Sequence, residues 1–386
     1  MSPFPLSNMK LTAIFISLSL AFATLSFTNP NLKRANEPIV NEDLPAKAIA
    51  GEGALVSAEL IYPLNNRPTP ETHASTIVET PKGMVAAFFS GTHEKNPDVG
   101  IRISRLENGK WTWPEEVVNG VVNDTLRYPC WNPVLFLPKG GPLMLFYKVG
   151  PDPTSWWGML MKSTDNGKTW SIPVKLGEDK KIGHLLGPVK NKPVQLSDGT
   201  IICPTSVEFV KNKVQDWMVY FEVSKNNGKT WQVVGPIHDG VEFDAIQPSV
   251  LTYGGKRLQV VCRTKQDVLS QSWSEDNGKT WGKMTALNLP NPNSGTDAVT
   301  LQDGRQLLVY NHSTKNGSEP KGRNILNVAI SMDGINWKPV MTLENEPIKA
   351  GYAYPAVIQA KDGKVHITYT YNRQSIKHAV VDPGKL

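Results

Sequence analysis

One eight-residue pattern, Ser-x-Asp-x-Gly-x-Thr-Trp, recurs along this chain and constrains its fold more than any other feature. It is complete at residues 163–170 and 274–281, and it has Asn in place of Asp at residues 224–231. Weaker versions occur at residues 331–337 and 104–111. The first serines of successive copies lie 59, 61, 50 and 57 residues apart. A period of this length with Gly and Trp signatures is typical of propellers and other repeat architectures.

The residue types of the pattern predict a tight turn. An Asp or Asn side chain accepts hydrogen bonds from the amides of a turn, and Gly adopts positive φ at little cost. A Trp that follows such a turn can insert between neighbouring repeats. We therefore interpret each copy as a structural hairpin between the outer two strands of a blade, and we do not expect it to carry catalysis.

Six pairs of β-rich segments run between the repeats, and a turn that contains Gly joins the two members of each pair. They cover residues 73–89, 131–147, 192–203, 247–263, 297–310 and 354–369. Six inner hairpins predict an all-β, six-bladed β-propeller with Asp-box hairpins. The alternating segment at residues 54–61 has no partner of its own, and we expect it to complete the last blade so that no sheet edge stays open.

The N-terminal region has the pattern of a secretory signal. Lys10 precedes an apolar run at residues 11–23, and small and polar residues follow it. We expect a signal peptide at residues 1–27, a spacer at residues 28–52 and the propeller at residues 53–386. The predicted location is the periplasm or the medium, with no membrane attachment after cleavage.

Charge and cysteine content exclude several classes of function. The formal net charge is +6, but Lys and Arg are scattered through turns and no nucleic-acid-binding motif is present. A mildly basic surface of this kind fits either simple solvation or attraction to anionic substrates. Cys130, Cys203 and Cys262 lie in apolar, strand-like runs, which predicts buried thiols without disulfides. We expect no metal and no cofactor.

The hairpins also predict where a site would lie. In an antiparallel hairpin, the start of the first strand and the end of the second lie at the same end, so six blades bring twelve strand ends to one face around the axis. Polar and aromatic residues occupy these positions, opposite the repeated turns. Those that we predict to bind substrate are Trp131, Asn132, Lys192, Gln247, Arg263, Asp297 and Arg373.

The repeated Ser-x-Asp-x-Gly-x-Thr-Trp pattern is known as an Asp box. With its Asp boxes and inner hairpins, the chain resembles the sialidase superfamily of Asp-box or BNR-repeat propellers over about residues 55–383. Sialidases hold the substrate carboxylate with three arginines, attack with a tyrosine that a glutamate activates, and use an aspartate as acid and base. The resemblance implies that Arg263 is one carboxylate arginine, that Tyr354 is the nucleophile, and that Asp98 is the acid/base.

Two positions depart from the family pattern. His73 lies about where the first arginine would open blade one, and Gln247 lies near the position of the activating glutamate. An amide does not take a proton from a tyrosine at neutral pH, and a histidine lacks the two-pronged cation that grips a carboxylate. The sequence therefore predicts an incomplete sialidase site, with His73, Tyr354 and Asp98 as catalytic candidates.

Three functions fit this set of residues. The leading hypothesis is a lyase or dehydratase that acts by β-elimination at the uronate non-reducing end of an acidic oligosaccharide. In that reaction Arg263 and a lysine neutralise the carboxylate, and His73 or Tyr354 moves the C5 proton. The resemblance supports this because related propellers include such lyases. The alternative is a sialidase-like exo-glycoside hydrolase that releases a terminal acidic sugar, and the third is a non-catalytic, glycan-binding propeller.

Overall fold

The computed structural model describes residues 1, 44–211, 214–315, 317 and 321–386. It contains six antiparallel sheets of four or more strands, arranged as a six-bladed β-propeller, which confirms the predicted fold. The expected signal peptide at residues 1–27, Met1 apart, and most of the expected spacer lie outside the described residues. Among the described residues, no helix has the length and apolar character needed to cross a membrane.

The blades follow one another in chain order. Blade 1 comprises Glu71–Thr80, Gly83–Gly91, Gly100–Glu107, Lys110–Trp111 and Glu115–Val118. Blade 2 comprises Cys130–Phe136, Leu143–Val149, Trp157–Ser163 and Val174–Lys175, and blade 3 comprises Val194–Gln195, Ile201–Lys211, Val214–Ser224 and Gln232–Val234. Blade 4 comprises Ala245–Thr252, Leu258–Thr264, Val268–Ser274 and Thr285–Pro290, and blade 5 comprises Asp297–Thr300, Gln306–Tyr310, Leu326–Ser331 and Lys338–Glu344. Blade 6 comprises Tyr352–Gln359, Val365–Tyr371, Ser375–Val381 and the N-terminal strand Leu55–Leu60.

Short elements complete the described chain. Two small hairpins pair Val121–Asn123 with Leu126–Arg127 and Glu178–Asp179 with Gly183–His184. A 3₁₀ turn covers Pro383–Lys385. Each blade is apolar on both faces because neighbouring blades pack against it, so the strand cores are nearly continuous runs of buried residues. Cys130, Cys203 and Cys262 are all buried free thiols, as predicted.

The ring closes through the N-terminal strand. Leu55–Leu60 pairs antiparallel with Ser375–Val381, and Ala58 lies opposite Ala379. This pairing confirms the expectation that the segment completes the last blade. It also removes an open sheet edge, because the outer strand of blade 6 comes from the start of the propeller and its inner three strands come from the end.

The repeated pattern forms the outer hairpin turn, as predicted. In the copy of blade 2, Asp165 accepts hydrogen bonds from the amides of Lys168 and Thr169 at 3.1 and 2.9 Å, and the Ser163 hydroxyl accepts the Gly167 amide at 2.8 Å. Each Trp then packs toward the preceding blade. Examples are Trp281 against Phe221 at 4.6 Å, Trp231 against Phe146 at 6.0 Å and Trp111 against His378 at 5.2 Å between ring centroids.

Asp297 joins four blades near the axis. Its two carboxylate oxygens accept the Lys192 ammonium at 3.1 and 3.0 Å, the Ser249 hydroxyl at 3.0 Å and the Val357 amide at 2.9 Å. These partners belong to the inner segments of blades 3, 4 and 6, whereas Asp297 itself begins blade 5. The carboxylate is only 2% exposed, so its charge is offset by these bonds and not by water.

Replacing this carboxylate is expected to destabilise the ring. Asp297→Ala leaves the partly buried Lys192 ammonium without its counter-ion and the buried Ser249 hydroxyl and Val357 amide without their acceptor, and it should lower the free energy of unfolding by about 3–5 kcal/mol. Asp303→Ala is the matched control, because Asp303 pairs with Arg305 at 2.8 Å but is half exposed. The Asp303→Ala variant should lose less than about 1 kcal/mol of the free energy of unfolding. Denaturant titration of both variants measures the difference, and equal losses would contradict the role of Asp297.

A buried histidine pair predicts sensitivity to acid. His366 Nδ1 lies 3.0 Å from His378 Nε2 in blade 6, beside Trp111 of blade 1. Burial, and then the charge of His366, lowers the pKa of His378 to about 3. Below about pH 6.5 the unfolded chain therefore binds protons that the native state does not, and stability falls as pH falls toward about 3.

Removing one histidine of the pair should weaken this pH dependence. We expect His378→Phe to lose less stability than the wild type between pH 6.5 and 4, because one depressed site is gone. His93→Phe is the control, since the His93 side chain is 66% exposed. Thermal melts across this pH range measure the effect. A His378→Phe profile parallel to that of the wild type would refute the assignment.

Candidate functional site

A backbone irregularity places the site at the start of the inner strands. The ladder between the first two strands is shifted in blades 1, 2, 4 and 6, and each bulge holds a residue with positive φ. These residues are Ala74, Asn132, Gln247 and Tyr354, with φ of 55°, 37°, 56° and 53°. A bulge turns a side chain away from the regular alternation, and such features are concentrated next to active sites.

Tyr354 lies at the centre of the cluster that results. Arg263 Nη1 donates to the Tyr354 hydroxyl oxygen at 2.8 Å, and Gln247 Nε2 donates to it at 3.3 Å. Arg263 also donates to Gln247 Oε1 at 3.2 Å and to Asn293 Oδ1 at 2.8 Å. A guanidinium at this distance stabilises negative charge that develops on the hydroxyl oxygen during a reaction.

His73 packs against the tyrosine. The two ring centroids are 4.2 Å apart, and His73 Nδ1 lies 2.9 Å from the Thr370 hydroxyl. The side chain is only 2% exposed. Burial holds the pKa of His73 well below its ordinary value, and the charges of Arg373, Arg323, Arg263 and Lys190 lower it further. The imidazole is therefore neutral at neutral pH.

A second guanidinium, which was not among the predicted site residues, faces the tyrosine. The Arg323 guanidinium carbon lies 5.5 Å from the centroid of the Tyr354 ring, and that of Arg263 lies 5.8 Å from it. Burial, together with the charges of Arg263 and Arg373, lowers the pKa of Arg323 to about 10. We refer to His73, Gln247, Arg263, Arg323 and Tyr354 as the axial cluster.

Among the described residues, every hydrogen-bond partner of Arg263 and Arg323 is uncharged. The partners of Arg263 are the oxygens of Asn293, Gln247 and Tyr354, and Arg323 donates to the Asn293 carbonyl at 3.4 Å. Arg263 is buried and Arg323 is partly buried, and two like charges in such surroundings are costly without an anion in direct contact. The pair is therefore suited to receive an anionic group of a ligand.

Arg373 has a counter-ion of its own. Its Nη1 lies 2.7 Å from the carboxylate of Glu94 and 3.8 Å from that of Glu71. Glu94 belongs to the loop that follows the second strand of blade 1, and its charge also acts on Arg323. This loop therefore brings a carboxylate to the edge of the axial cluster, although the strand-end pattern did not single out Glu94.

Asp98 lies on the same loop but in a different setting. Its carboxylate accepts hydrogen bonds from the Thr92 amide at 2.8 Å and from the Thr92 hydroxyl, so it closes the loop on itself. The residue is exposed, and Arg127 Nη2 donates to its backbone carbonyl at 2.9 Å. The contacts of Asp98 are those of a loop-capping residue, and its catalytic role stays a prediction.

Lys192 and Asp297 pair with each other, as described above, and Lys192 also donates to the Ala298 carbonyl at 2.7 Å. Lys192 lines a cavity of about 910 Å³, and turns of the inner hairpins, such as residues 137–142, also line it. Those turns lie at the Asp-box end, opposite the strand starts. Lys192 therefore borders this cavity, on the Asp-box side of Asp297, and does not join the axial cluster.

Trp131 and Asn132 lie in the inner strand of blade 2. Trp131 is 2% exposed, donates through Nε1 to the Gly150 carbonyl at 2.8 Å, and packs on Trp156 and Phe89. It is a packing residue of the cluster wall and offers no open face for a sugar. Asn132 is 6% exposed and occupies the bulge.

Comparison with known proteins identifies the family. Residues 82–367 match the BNR repeat-like domain family over most of the chain. The chain belongs to the BNR repeat-like domain family. The resemblance to sialidase-like, BNR-repeat propellers is thereby confirmed.

Curated relatives of this BNR-repeat chain are sialidases at low identity. A sialidase of Bacteroides fragilis (strain YCH46) is 29% identical over 203 residues, which are 47% of this chain and 33% of that protein. A sialidase of Paraclostridium sordellii is 25% identical over 241 residues, which are 57% of each chain. The matched part of the chain thus spans less than two thirds of either relative.

Solved structures share the propeller. A Dyadobacter fermentans DSM 18053 protein of unknown function has a TM-score of 0.71 at 18% identity, over 85% of this chain and 98% of that one. A Hadza microbial sialidase has a TM-score of 0.70 at 17% identity, over 86% and 69%. The NanB sialidase of Streptococcus pneumoniae has a TM-score of 0.66 at 11% identity, over 83% and 70%. At these identities the likeness concerns the fold.

Within this BNR-repeat propeller, the structure brings four of the predicted residues together. His73, Gln247, Arg263 and Tyr354 form one contact network, and their catalytic and binding roles stay predictions. The sequence prediction considered only the start of the first strand and the end of the second strand of each blade, and it therefore missed Arg323. Arg323 lies three residues before the third strand of blade 5, Leu326–Ser331, whose start is at the same end as the end of the second strand. Extending the prediction to third strands would have found it.

Proposed function

We propose that this propeller is an exo-acting glycosidase of sialidase type, which releases a terminal sugar that carries a carboxylate. The observation that carries the proposal is the pair of guanidiniums, buried Arg263 and partly buried Arg323, which face Tyr354 and whose hydrogen-bond partners among the described residues are all uncharged. A substrate carboxylate would give the pair an anion in direct contact, in addition to the charges of Glu208 and Glu94 that act through space. The sialidase relatives support this function over elimination at a uronate.

The side chains of the cluster suit the steps of such a cleavage. Arg263 and Arg323 bind the carboxylate, which places the anomeric carbon near the Tyr354 hydroxyl. Tyr354 attacks that carbon and loses its proton, and neutral His73 in ring contact is the acceptor. Glu94, which pairs with Arg373 in the free protein, takes up a proton from solvent and then protonates the leaving oxygen from the loop side. Water then releases the sugar from the tyrosine.

Elimination at a uronate is the second candidate, and a specific observation favours it. Where a sialidase has a carboxylate to activate the tyrosine, the amide of Gln247 donates to the Tyr354 hydroxyl. An amide takes up no proton, so His73 and Tyr354 are the members of the axial cluster that can transfer protons. In an elimination one of them would remove the C5 proton of the uronate, and the other would protonate the oxygen that leaves C4 as the C4–C5 double bond forms.

A product assay decides between these functions. Purified protein is incubated with sialylated oligosaccharides and with uronate-ended oligosaccharides, and ultraviolet absorbance and product mass are followed together. We expect release of a saturated acidic sugar without growth of absorbance. An unsaturated product would replace the glycosidase hypothesis with elimination, and binding without turnover would leave a glycan-binding propeller.

Tyr354→Phe is the matched variant for this assay. It removes the hydroxyl but keeps the ring between Arg263 and Arg323, so the acidic sugar should still bind. We expect its turnover to fall by at least about 10³-fold, because the attacking atom is gone. Calorimetric titration with the released sugar is the control for binding. Unchanged turnover would exclude Tyr354 as the nucleophile.

The loop carboxylates predict different responses to the leaving group. Glu94→Gln should slow cleavage of natural glycosides by about 10²-fold or more and slow aryl glycosides with good leaving groups much less, because only poor leaving groups need protonation. Asp98→Asn is the comparison variant, and it should lower the rates on natural and on aryl glycosides equally, because it loosens the loop. Cleavage rates of both variants on the two substrate types measure the difference. The reverse result would return the acid role to Asp98.

A further inference from the structure

Lys190 is a buried cation directly behind the axial cluster. It lies in the segment that leads into the first strand of blade 3, has φ of 75° and is 2% exposed. A lysine is rarely buried to this extent unless its ammonium is fully bonded. None of the steps proposed above uses it.

The ammonium of Lys190 bonds three uncharged oxygens from different blades. It donates to the Asn191 side-chain oxygen at 2.8 Å, to the Thr296 carbonyl at 2.5 Å and to the Pro355 carbonyl. An ammonium has three donors, so the three acceptors satisfy it completely. Burial lowers the pKa of Lys190 to about 7, and the charge of Asp297 opposes that shift.

The Pro355 carbonyl belongs to the residue after Tyr354. Tyr354 has a φ of 53°, a backbone conformation that is strained for a non-glycine residue and persists only where the surroundings enforce it. The bond from Lys190 holds the Pro355–Ala356 peptide, one residue beyond this strained position. It therefore acts on the backbone that sets the direction of the Tyr354 side chain.

Side-chain packing links the same residues. A Cβ placed on Gly295 would lie 3.0 Å from Gln247 Oε1 and 3.3 Å from both Lys190 Cε and Tyr354 Cδ2. The three side chains therefore meet at one point, and Gly295 leaves the space for them. Through Thr296, whose carbonyl Lys190 also bonds, the lysine fixes the backbone next to that glycine.

We propose that Lys190 is a positioning residue, which holds the Tyr354–Pro355 bulge and the Gly295–Thr296 segment so that the Tyr354 hydroxyl stays between Arg263 and Gln247. Its importance for turnover rests on the proposed function. Its effect on Tyr354 does not, because the contacts exist without substrate. Misplacement of a reacting group by about 1 Å costs on the order of 10²-fold in rate.

The test uses two substitutions, at Lys190 and at Gly295, which lie on opposite sides of the packing contact with Tyr354, and one control substitution. Lys190→Met removes the ammonium but keeps the length of the side chain. Gly295→Ala keeps the ammonium and pushes Gln247 and Tyr354 by a few tenths of an ångström. Lys377→Met is the control, because Lys377 is a partly buried lysine of blade 6 whose ammonium pairs with buried Glu344. Each variant carries 3-fluorotyrosine at position 354 for 19F NMR, and the same variants with Tyr354 are used for kinetics.

We expect kcat to fall about 10²-fold in Lys190→Met and less in Gly295→Ala, with KM within about twofold of the wild type. The fluorine resonance at position 354 should shift or broaden in both variants. Lys377→Met should lose thermal stability but keep kcat and the resonance. A purely structural lysine would instead lower stability without moving kcat or the resonance of folded protein.

The outcomes separate this proposal from the proposed function. If the wild type releases no acidic sugar but the resonance moves in Lys190→Met, the glycosidase hypothesis fails and the positioning role stands. If the resonance and kcat of Lys190→Met match the wild type, the positioning role is wrong. Should Lys190→Met fail to fold, Gly295→Ala decides, because an unchanged resonance and kcat there would overturn the packing link between Lys190 and Tyr354.

Discussion

The structure depends on one buried carboxylate near the propeller axis. Asp297 binds the Lys192 ammonium, the Ser249 hydroxyl and the Val357 amide, so a single side chain connects blades 3, 4, 5 and 6. Outer hairpins fix each blade to its neighbour through a Trp, and polar contacts of this kind, together with the apolar packing between blades, fix the inner strands relative to one another. The starts of those strands carry the axial cluster. Its geometry is therefore set by the same bonds that hold the ring together.

The bulges give the cluster its direction. Regular alternation would send Gln247 and Tyr354 into the packing between blades, whereas the left-handed turn at each position directs the side chain toward the axis. Pro follows both residues, and it lacks the amide that a regular ladder would require there. Strain of this type needs support from the surroundings. Lys190, which bonds the Pro355 carbonyl, is one such support.

Periodicity made the fold predictable from the sequence, because six hairpins and five turn patterns leave little freedom in how the strands pair. The prediction from strand ends correctly grouped His73, Gln247, Arg263 and Tyr354 on one face. Blade 3 differs, although Lys192 lies before Pro as Tyr354 does. Lys190, two residues earlier, bonds the Pro355 carbonyl next to Tyr354, whereas Lys192 pairs with Asp297. Which lysine faces which end depends on backbone angles that the sequence pattern does not encode. Glu94 and Asp98 show the same limit, because loop geometry alone decides that Glu94 reaches Arg373.

The charges around His73 connect binding to proton transfer. Burial and four cations, Arg373, Arg323, Arg263 and Lys190, lower the pKa of this imidazole, which makes it neutral but a weak base. A substrate carboxylate bound to Arg263 and Arg323 would cancel part of that positive field and raise the pKa of His73. By linkage, the imidazole becomes a stronger base in the complex than in the free protein. Under the proposed function, a site with a histidine and an amide in place of an arginine and a glutamate would therefore depend on the charge of its substrate for both recognition and proton transfer.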